Sequence, residues 1–190
     1  MRIIIVDFYD SFVYNLVHYF ESMDCIVEVM EDRNIDIVNL QFLEGYAGVV
    51  LSPGPGLPKE THSMFAILDY CCGKIPVFGV CLGMQGMGLS LGGKLENQPT
   101  VRHGESRKLF LKGNSKIMDE NMEGSNVGLY HSWAVVDLPE QYITSYDQDK
   151  VLMSLECNET LRYGVQFHPE SILTDYGMEM VKNVKSKIFS

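Results

Sequence analysis

The chain has 190 residues, of which 46% are hydrophobic and 21% are charged, and its formal net charge at pH 7 is −10. This composition is ordinary for a globular protein, and the chain is long enough to bury a full hydrophobic core. The acidic balance excludes the basic surface that nucleic-acid binding needs, so no nucleic-acid partner is expected. Five cysteines without zinc-type spacing predict reduced thiols in a cytoplasmic protein.

The apolar run Met1–Val6 stops at Asp7 and is therefore too short for the apolar core of a signal peptide or for a membrane span. We interpret it as a strand and expect no membrane partner. No repeat, linker or change of composition divides the chain, so residues 1–190 are predicted to form a single domain.

Short apolar runs alternate with helix-length segments through the first half of the chain, which is typical of a parallel sheet with helices on both faces. Functional residues are expected at the carboxyl edge of such a sheet, where the loops after Val6, Leu51 and Val80 meet. The predicted strands are Ile3–Val6, Cys25–Met30, Gly48–Leu51 and Val77–Val80. Three helices are predicted in this half. The first begins after Asp10 or Ser11 and has a face of Phe12, Leu16 and Phe20. The second includes Met64–Tyr70, and the third extends from Gly83 to about Leu91.

From about Lys94 the pattern changes to short strands with few helical stretches. These strands are predicted to form antiparallel ribbons, and a final helix is predicted to begin at Thr174 or Asp175. The predicted fold class is therefore α/β, with a mostly parallel central sheet, flanking helices and antiparallel ribbons in the second half. The predicted ribbon strands are Lys108–Leu111, Leu129–Val136, Tyr142–Tyr146, Val151–Leu155 and Arg162–Phe167.

Residues Gly79–Gly83 place Cys81 between two glycines at the end of an apolar run. This pattern indicates a strand that turns sharply into a helix, the geometry of a nucleophile elbow. Glycines are required because the neighbouring backbone comes too close for a Cβ atom. The free N–H groups and the dipole at the start of the helix favour a thiolate.

The segment Gly164–Ser171 contains the groups that a cysteine nucleophile lacks. His168 can take the thiol proton, and Glu170 can orient the imidazole. The two-residue step predicts that both side chains lie on the same side of an extended segment, with Pro169 restricting its backbone. The sequence therefore predicts an enzyme that forms a thioester on Cys81.

Several other reactive or conspicuous residues have a simpler structural interpretation. A glycine–proline loop such as Ser52–Gly56 is most often a plain turn. For His131 two interpretations remain: a residue of a pocket or partner contact, or a polar residue of a strand. For His103 the two interpretations are a functional loop residue and a residue without a function. The remaining cysteines are expected to be core residues: Cys25, Cys71, Cys72 and Cys157.

Five separated blocks of the sequence occur in the order and at the spacing of a known family. The chain resembles the class I, or triad-type, glutamine amidotransferases over nearly its whole length. Within that class it is similar to the small subunit of anthranilate synthase or aminodeoxychorismate synthase, because the first block is typical of the chorismate-using branch. The blocks are Asp7–Asn15, Ser52–Gly56, Gly79–Gly83, Tyr130–Ser132 and Gly164–Ser171.

The resemblance implies a flavodoxin-like amidotransferase fold and a catalytic triad of Cys81, His168 and Glu170 that hydrolyses L-glutamine. It also implies that the backbone N–H groups of Leu82 and Gly56 stabilise the oxyanion, and that His168 protonates the leaving ammonia. The other substrate-binding residues that it implies are Gly54, Pro55, Gln85, Ser132 and Trp133.

The resemblance also implies a partner. Ammonia released into water would be lost, and a second catalytic domain is not expected within 190 residues. The implied partner is a separate chorismate-binding synthase subunit (component I) that carries magnesium, while this chain carries no metal or cofactor. The product can be anthranilate (tryptophan route), 4-amino-4-deoxychorismate (folate route), or both. Anthranilate is slightly preferred.

Four positions depart from the family pattern, and the first is Val13 in place of a common threonine. Met84 follows the elbow glycine where histidine is frequent; because Gln85 keeps its place, we interpret Met84 as a packing change that leaves the triad intact. Glu105 and Leu129 stand where lysine and arginine are frequent, which puts the details of partner docking in question.

Three alternative functions are considered. An amidotransferase of another pathway, such as GMP synthase, would share the cysteine and histidine blocks but not the first block. A flavodoxin-like or DJ-1-like redox protein would use the elbow cysteine without requiring His168 and Glu170. A pseudo-enzyme that only docks to a synthase is opposed by the complete triad and by Gln85.

Overall fold

A computed structural model describes residues 1–99 and 104–190, so His103 lies outside the described residues. The strands of the described part are β1 (Arg2–Asp7), β2 (Ile26–Glu31), β3 (Val49–Leu51), β4 (Val77–Val80), β5 (Lys94–Asn97), β6 (Glu105–Leu111), β7 (Asn126–Leu129), β8 (Trp133–Val136), β9 (Ile143–Asp147), β10 (Leu152–Cys157) and β11 (Arg162–Val165). The helices are α1 (Val13–Glu21), α2 (Met64–Cys71), α3 (Leu82–Ser90) and α4 (Gly177–Asn183), which continues as a π-helical turn over Val184–Ile188. Short 3₁₀ turns lie at Asp32–Asn34, Gln41–Gly45, Pro58–Glu60, Glu120–Met122 and Glu140–Tyr142.

The described strands form one large sheet and a separate ribbon. The sheet has nine strands in the order β2-β1-β3-β4-β11-β10-β9-β6-β7, and β5 pairs with β8 in the ribbon. The first five strands in that order are parallel, and the other four extend the sheet with antiparallel pairing. The predicted fold class, a mostly parallel central sheet with antiparallel extensions, is confirmed.

Helices cover both faces of the parallel half because alternate side chains of its strands point to opposite faces. On one face Leu16 and Phe20 of α1 pack in the same buried cluster as Val181 of α4. On the other face Ile67 of α2 and Met87 of α3 belong to a second cluster. Full burial of a side chain of this size contributes roughly 1.5–3 kcal/mol to folding. The two clusters hold the parallel strands in place and so fix the positions of the loops at their carboxyl ends.

One predicted strand is wrong. The sequence predicted a continuous strand over Leu129–Val136, whereas β7 and β8 are separate strands that pair with β6 and β5 respectively. Residues Tyr130–Ser132 leave the sheet between them, and the ribbon strand β5 was not predicted. The local sequence does not show the break, because the two strands pair with different and distant partners, and the N–H of Gln98, which donates to the carbonyl oxygen of Ser132 at 2.7 Å, extends the pairing of the ribbon.

The final helix begins later than predicted. The two candidate capping residues bond elsewhere: the hydroxyl of Thr174 donates to the carbonyl oxygen of His168 at 2.6 Å, and Asp175 accepts the backbone N–H of Asn126 at 2.8 Å. Strand β11 was predicted as an antiparallel ribbon strand that ends at Phe167, whereas it ends at Val165 and pairs parallel with β4 as well as antiparallel with β10. The segment between β11 and α4 is thereby tied to the edge of the sheet. No helix in the described ranges combines the length and the apolar character that a membrane span requires.

Candidate active site

The predicted sharp turn between β4 and α3 is confirmed, and it carries Cys81. This residue has φ 49° and ψ −100°, a backbone conformation that L side chains rarely adopt and that costs on the order of 1–3 kcal/mol. The turn is held because the N–H of Cys81 donates to the carbonyl oxygen of Val165 in β11 at 2.8 Å. The side chain is 7% exposed, so the nucleophile candidate is nearly enclosed.

The turn requires glycine at two positions, because neighbouring backbone atoms lie too close for a Cβ atom. A Cβ atom on Gly83 would lie 2.4 Å from the carbonyl oxygen of Leu51 in β3. A Cβ atom on Gly79 would lie 2.6 Å from the carbonyl carbon of Gly83. Helix α3 therefore lies directly against the sheet and begins at Leu82, whose backbone N–H has no partner within the helix because it belongs to the first turn.

His168 and Glu170 form a buried pair beside the elbow. Nδ1 of His168 lies 2.7 Å from Oε1 of Glu170, and the two residues are 2% and 4% exposed. The predicted extended backbone is wrong, since the N–H of Ser171 donates to the carbonyl oxygen of His168 at 3.2 Å and closes a turn. The turn, rather than an extended step, brings the two side chains together. Strand β11 is the neighbour of β4, and this places the pair next to Cys81.

The surroundings of His168 favour its charged form. Burial acts to lower the pKa of the imidazole, but hydrogen bonding and charge from Cys81 and Glu170 outweigh it and hold the pKa above its usual range. Nε2 has no oxygen or nitrogen partner at hydrogen-bonding geometry among the described residues. The imidazole is therefore oriented by Glu170 through Nδ1, with Nε2 left for proton exchange.

Two aromatic rings enclose the imidazole. The ring of Tyr130 lies edge-on to His168 with 4.9 Å between centroids, and the ring of Phe12 lies at 5.8 Å. The Tyr130 hydroxyl lies 3.0 Å from Oγ of Ser171. Phe12 was predicted to be on the buried face of α1, but it is only partly buried and precedes the helix, because Asp10 accepts its N–H at 2.8 Å in the preceding turn. Phe12 is thus a site residue that the sequence assigned to the core.

A cavity of about 320 Å³ opens on one side of Cys81, and we call it the Gln85 cavity. Among the described residues that line it, no Asp, Glu, Lys or Arg is present. It brings together every predicted substrate-binding residue except Leu82, which lies buried at the start of α3. The lining residues are Gly54, Pro55, Gly56, Leu57, Cys81, Gln85, Tyr130, His131, Ser132 and Trp133.

The loop Ser52–Gly56 is held over this cavity by side-chain hydrogen bonds. Oγ of Ser52 accepts the backbone N–H of Phe8 at 2.9 Å, and Glu60 accepts that of Leu57 at 2.8 Å. Gly56 has φ 79°, which a side chain would strain. The loop is therefore a fixed wall of the cavity, not a plain surface turn.

A second cavity of about 360 Å³ lies on the other side of Cys81, and we call it the Phe12 cavity. It shares Cys81 and part of the glycine–proline loop with the first cavity, but its outer wall comes from the loop after β1. The lining residues are Tyr9, Asp10, Ser11, Phe12, Pro53, Gly54, Pro55, Cys81, Tyr130 and His168. The loops after β1, β3 and β4 thus meet at the carboxyl edge, as predicted.

Hydrogen bonds between polar side chains connect Gln85, which lines the Gln85 cavity, to Gln166 in the Gly164–Ser171 block behind it. Nε2 of Gln85 donates to the carbonyl oxygen of Trp133 at 2.8 Å and to Oε1 of Gln166 at 3.2 Å. Nε2 of Gln166 donates to Sγ of Cys81 at 3.5 Å. His131 is buried, and its Nδ1 lies 2.9 Å from the carbonyl oxygen of Trp133, which identifies it as a pocket residue. Gln166 was not singled out from the sequence, although it lies in the Gly164–Ser171 block.

The departures from the family pattern have structural explanations. Met84 is fully buried and packs in the cluster of α2 and α3, which supports its interpretation as a packing change. Leu129 is buried at the end of β7, while the carboxylate of Glu105 pairs with Arg107 at 3.4 Å. The prediction for the other cysteines holds for Cys25, Cys71 and Cys157, which are buried, and is wrong for Cys72, which is exposed because it follows the last turn of α2.

The sequence matches the family model of class-I glutamine amidotransferases over residues 4–187. It is 38% identical over 188 residues to the bifunctional protein TrpGD of Thermotoga maritima, covering 96% of this chain and 31% of that protein. It is 37% identical to the pyocyanine-specific anthranilate synthase component 2 of Pseudomonas aeruginosa, covering 96% and 92%. It is 37% identical to the aminodeoxychorismate synthase of Streptomyces griseus, covering 97% and 26%. The chain thus spans less than a third of two of these relatives and nearly all of the third.

The fold is shared with a solved structure. A GMP synthase-type protein of Thermoplasma acidophilum superposes with a TM-score of 0.84 over 96% of this chain and 91% of that one. The sequence identity is 20%, so this likeness concerns the fold alone.

Proposed function

We propose that this chain, which belongs to the class I glutamine amidotransferases, hydrolyses L-glutamine with Cys81, His168 and Glu170 and delivers the ammonia to a chorismate-using synthase subunit. The observation that supports this most strongly is the strained elbow of Cys81, beside the buried His168–Glu170 pair and open to the Gln85 cavity. A redox protein would have no use for an oriented imidazole next to a substrate-sized cavity.

The proposed reaction has two halves. Sγ of Cys81, whose proton His168 holds on Nε2, attacks the side-chain amide carbon of glutamine. The resulting oxyanion accepts hydrogen bonds from the backbone N–H groups of Leu82 and Gly56. The carbon–nitrogen bond then breaks, and His168 gives its proton to the leaving ammonia, which leaves a thioester on Cys81.

Water completes the cycle. His168 takes a proton from the water that attacks the thioester carbon, the carbon–sulfur bond breaks, and the thiolate beside the protonated His168 is restored as glutamate leaves. Glu170 keeps Nε2 directed at the reacting atoms by holding Nδ1 at 2.7 Å. Against the effect of burial, hydrogen bonding and charge from Cys81 and Glu170 stabilise the imidazolium in each half, which is why the pKa of His168 is raised.

The polar atoms of the Gln85 cavity that make no hydrogen bond within the protein determine which groups of the substrate can bind there. Both amide hydrogens of Gln85 are donated inside the protein, so its Oε1 is the remaining group and can accept from the α-ammonium of glutamine. The carbonyl oxygens of Ser132 and Trp133 also accept internal hydrogen bonds. We therefore assign the backbone N–H groups of this segment to the α-carboxylate.

The proposed partner is a chorismate-binding synthase (component I), because the names of two relatives refer to anthranilate synthase and aminodeoxychorismate synthase. Both products remain candidates, with anthranilate preferred slightly. The magnesium that such chemistry requires is assigned to the partner, and none to this chain. We propose a cytoplasmic location, since the five cysteines are free thiols.

Replacement of the nucleophile tests this function. Cys81→Ser, assayed with its synthase subunit, is expected to abolish product formation from glutamine and to leave formation from high ammonium unchanged, because the partner chemistry does not need the thiol. A chloroketone analogue of glutamine is expected to label Cys81 ahead of Cys72, the exposed cysteine. Glutamine-dependent synthesis that survives in the serine variant would overturn the assignment.

A further inference from the structure

Gln166 lies between the nucleophile and the substrate-binding glutamine, and its side chain is fully buried. Its Nε2 donates to Sγ of Cys81 at 3.5 Å, and its Oε1 accepts from Nε2 of Gln85 at 3.2 Å. The backbone is anchored separately, because the N–H of Gln166 donates to the carbonyl oxygen of Met153 at 2.8 Å. The side-chain amide is therefore not needed to attach this segment to the sheet.

The direction of the Gln166 amide is imposed by its neighbours. Gln85 presents its NH₂ group toward Gln166, since that group also donates to the carbonyl oxygen of Trp133. A donor can be met only by the oxygen of the Gln166 amide. The NH₂ group of Gln166 is consequently turned toward the sulfur of Cys81, and a reversed amide would break both links.

We propose that Gln166 is a positioning residue that holds the sulfur of Cys81 by hydrogen bonding and couples it to the substrate contact of Gln85. The proposal rests on the proposed glutaminase function for its meaning, but the link itself is a property of the free protein. An N–H donor at the sulfur stabilises negative charge there, which supports the thiolate that attacks the amide. When glutamine binds Oε1 of Gln85, polarisation along the connected amides strengthens the contact with the sulfur.

The test measures the reactivity of Cys81 without glutamine or the synthase partner. Alkylation by iodoacetamide is followed on the Cys81 peptide by mass spectrometry from pH 6 to 9, in a Cys72→Ser background that removes the exposed thiol. Gln166→Met keeps the side-chain length but has no donor. It is expected to slow alkylation at pH 7 about tenfold and to recover toward the parent rate at pH 9.

A second variant tests the coupling without changing Gln166. Gln85→Met removes the donor that fixes the Gln166 amide, and it is expected to slow alkylation at pH 7 in the same direction, although by a smaller factor. Ser154→Ala is the matched control, because Ser154 is fully buried in β10 and its hydroxyl bonds to Thr144 and Ser145. Its alkylation profile is expected to match the parent.

The outcomes separate this inference from the proposed function. If the profiles of Gln166→Met and Gln85→Met both coincide with that of Ser154→Ala, Gln166 is a space-filling residue and the inference is overturned. If the profiles shift but the parent shows no glutaminase activity with its synthase partner, the positioning link stands and the proposed function fails. In the assembled enzyme, Gln166→Met is expected to lower kcat for glutamine about tenfold and to leave ammonium-dependent synthesis intact, which shows that the fold and the docking survive.

Discussion

The two cavities beside Cys81 are nearly equal in volume but differ in construction. The Gln85 cavity is formed by the elbow, a hydrogen-bonded loop and buried amides, whose polar atoms are mostly engaged within the protein. The outer wall of the Phe12 cavity is the loop after β1, where Tyr9 is 46% exposed and has φ 68°. Aromatic contacts, rather than buried hydrogen bonds, connect this loop to His168. Cys81 thus lies between a hydrogen-bonded side, which we propose binds glutamine, and an exposed side, which we propose the synthase partner rearranges.

His168 carries the proton in both proposed half-reactions, so its removal has the largest expected effect. His168→Ala is expected to lower glutamine-dependent turnover by about 10³-fold or more, because both proton transfers lose their carrier. Steady-state glutaminase assays of the assembled enzyme measure this loss, with ammonium-dependent synthesis as the control. A loss below about tenfold would contradict the assignment of His168 as the base.

Gln85→Leu is expected to affect glutamine binding in the Gln85 cavity and not the Phe12 cavity. Loss of a hydrogen bond to the charged α-ammonium is expected to reduce kcat/KM for glutamine by about 10- to 100-fold, mostly through KM. The factor by which the synthase partner raises the activity of the chain is expected to stay the same. An unchanged KM would show that Oε1 of Gln85 does not contact the substrate.

Glu170→Gln is expected to lower turnover about tenfold, much less than His168→Ala, because an amide oxygen can still hold Nδ1. The carboxylate helps to raise the pKa of His168, so the neutral variant lowers that pKa. The imidazolium then loses its proton at a lower pH, and the alkaline limb of the pH–rate profile is expected to move to lower pH. An unmoved limb, or a loss equal to that of His168→Ala, would show that Glu170 acts differently.

The smallest expected effect is that of a substitution in the Phe12 cavity. The isolated chain is expected to be nearly inactive and to gain activity when chorismate and the synthase partner are added, since docking favours the competent arrangement of the loops. Phe12→Leu is expected to reduce this activation several-fold and to leave KM for glutamine unchanged. Full activity of the isolated chain, or normal activation of the variant, would remove the distinction between the two cavities.

The sequence predicted the parts of this molecule that depend on local pattern. Four of the five parallel strands and the elbow at Cys81 could be predicted because apolar periodicity and flanking glycines are local features, whereas the parallel pairing of β11 depends on its distant neighbour β4. Gln166 could not, and the contact of Phe12 with His168 was missed although Phe12 lies in the first family block, because His168 and Cys81 lie far from these residues in the chain. The break at Tyr130–Ser132 was missed for the same reason. The proposed residue functions remain predictions of the family resemblance, supported by the way the cavity gathers those residues.

The strained backbone at Cys81 has an evolutionary consequence. Selection for stability alone acts against any side chain at this position, because glycine would relieve the strain. We propose that the cysteine is retained for the thioester chemistry assigned to it above. A gene copy relieved of that demand is expected to drift toward glycine at position 81 while its fold stays intact. The residue at this single turn thus distinguishes descendants that kept the reaction from those that kept only the scaffold.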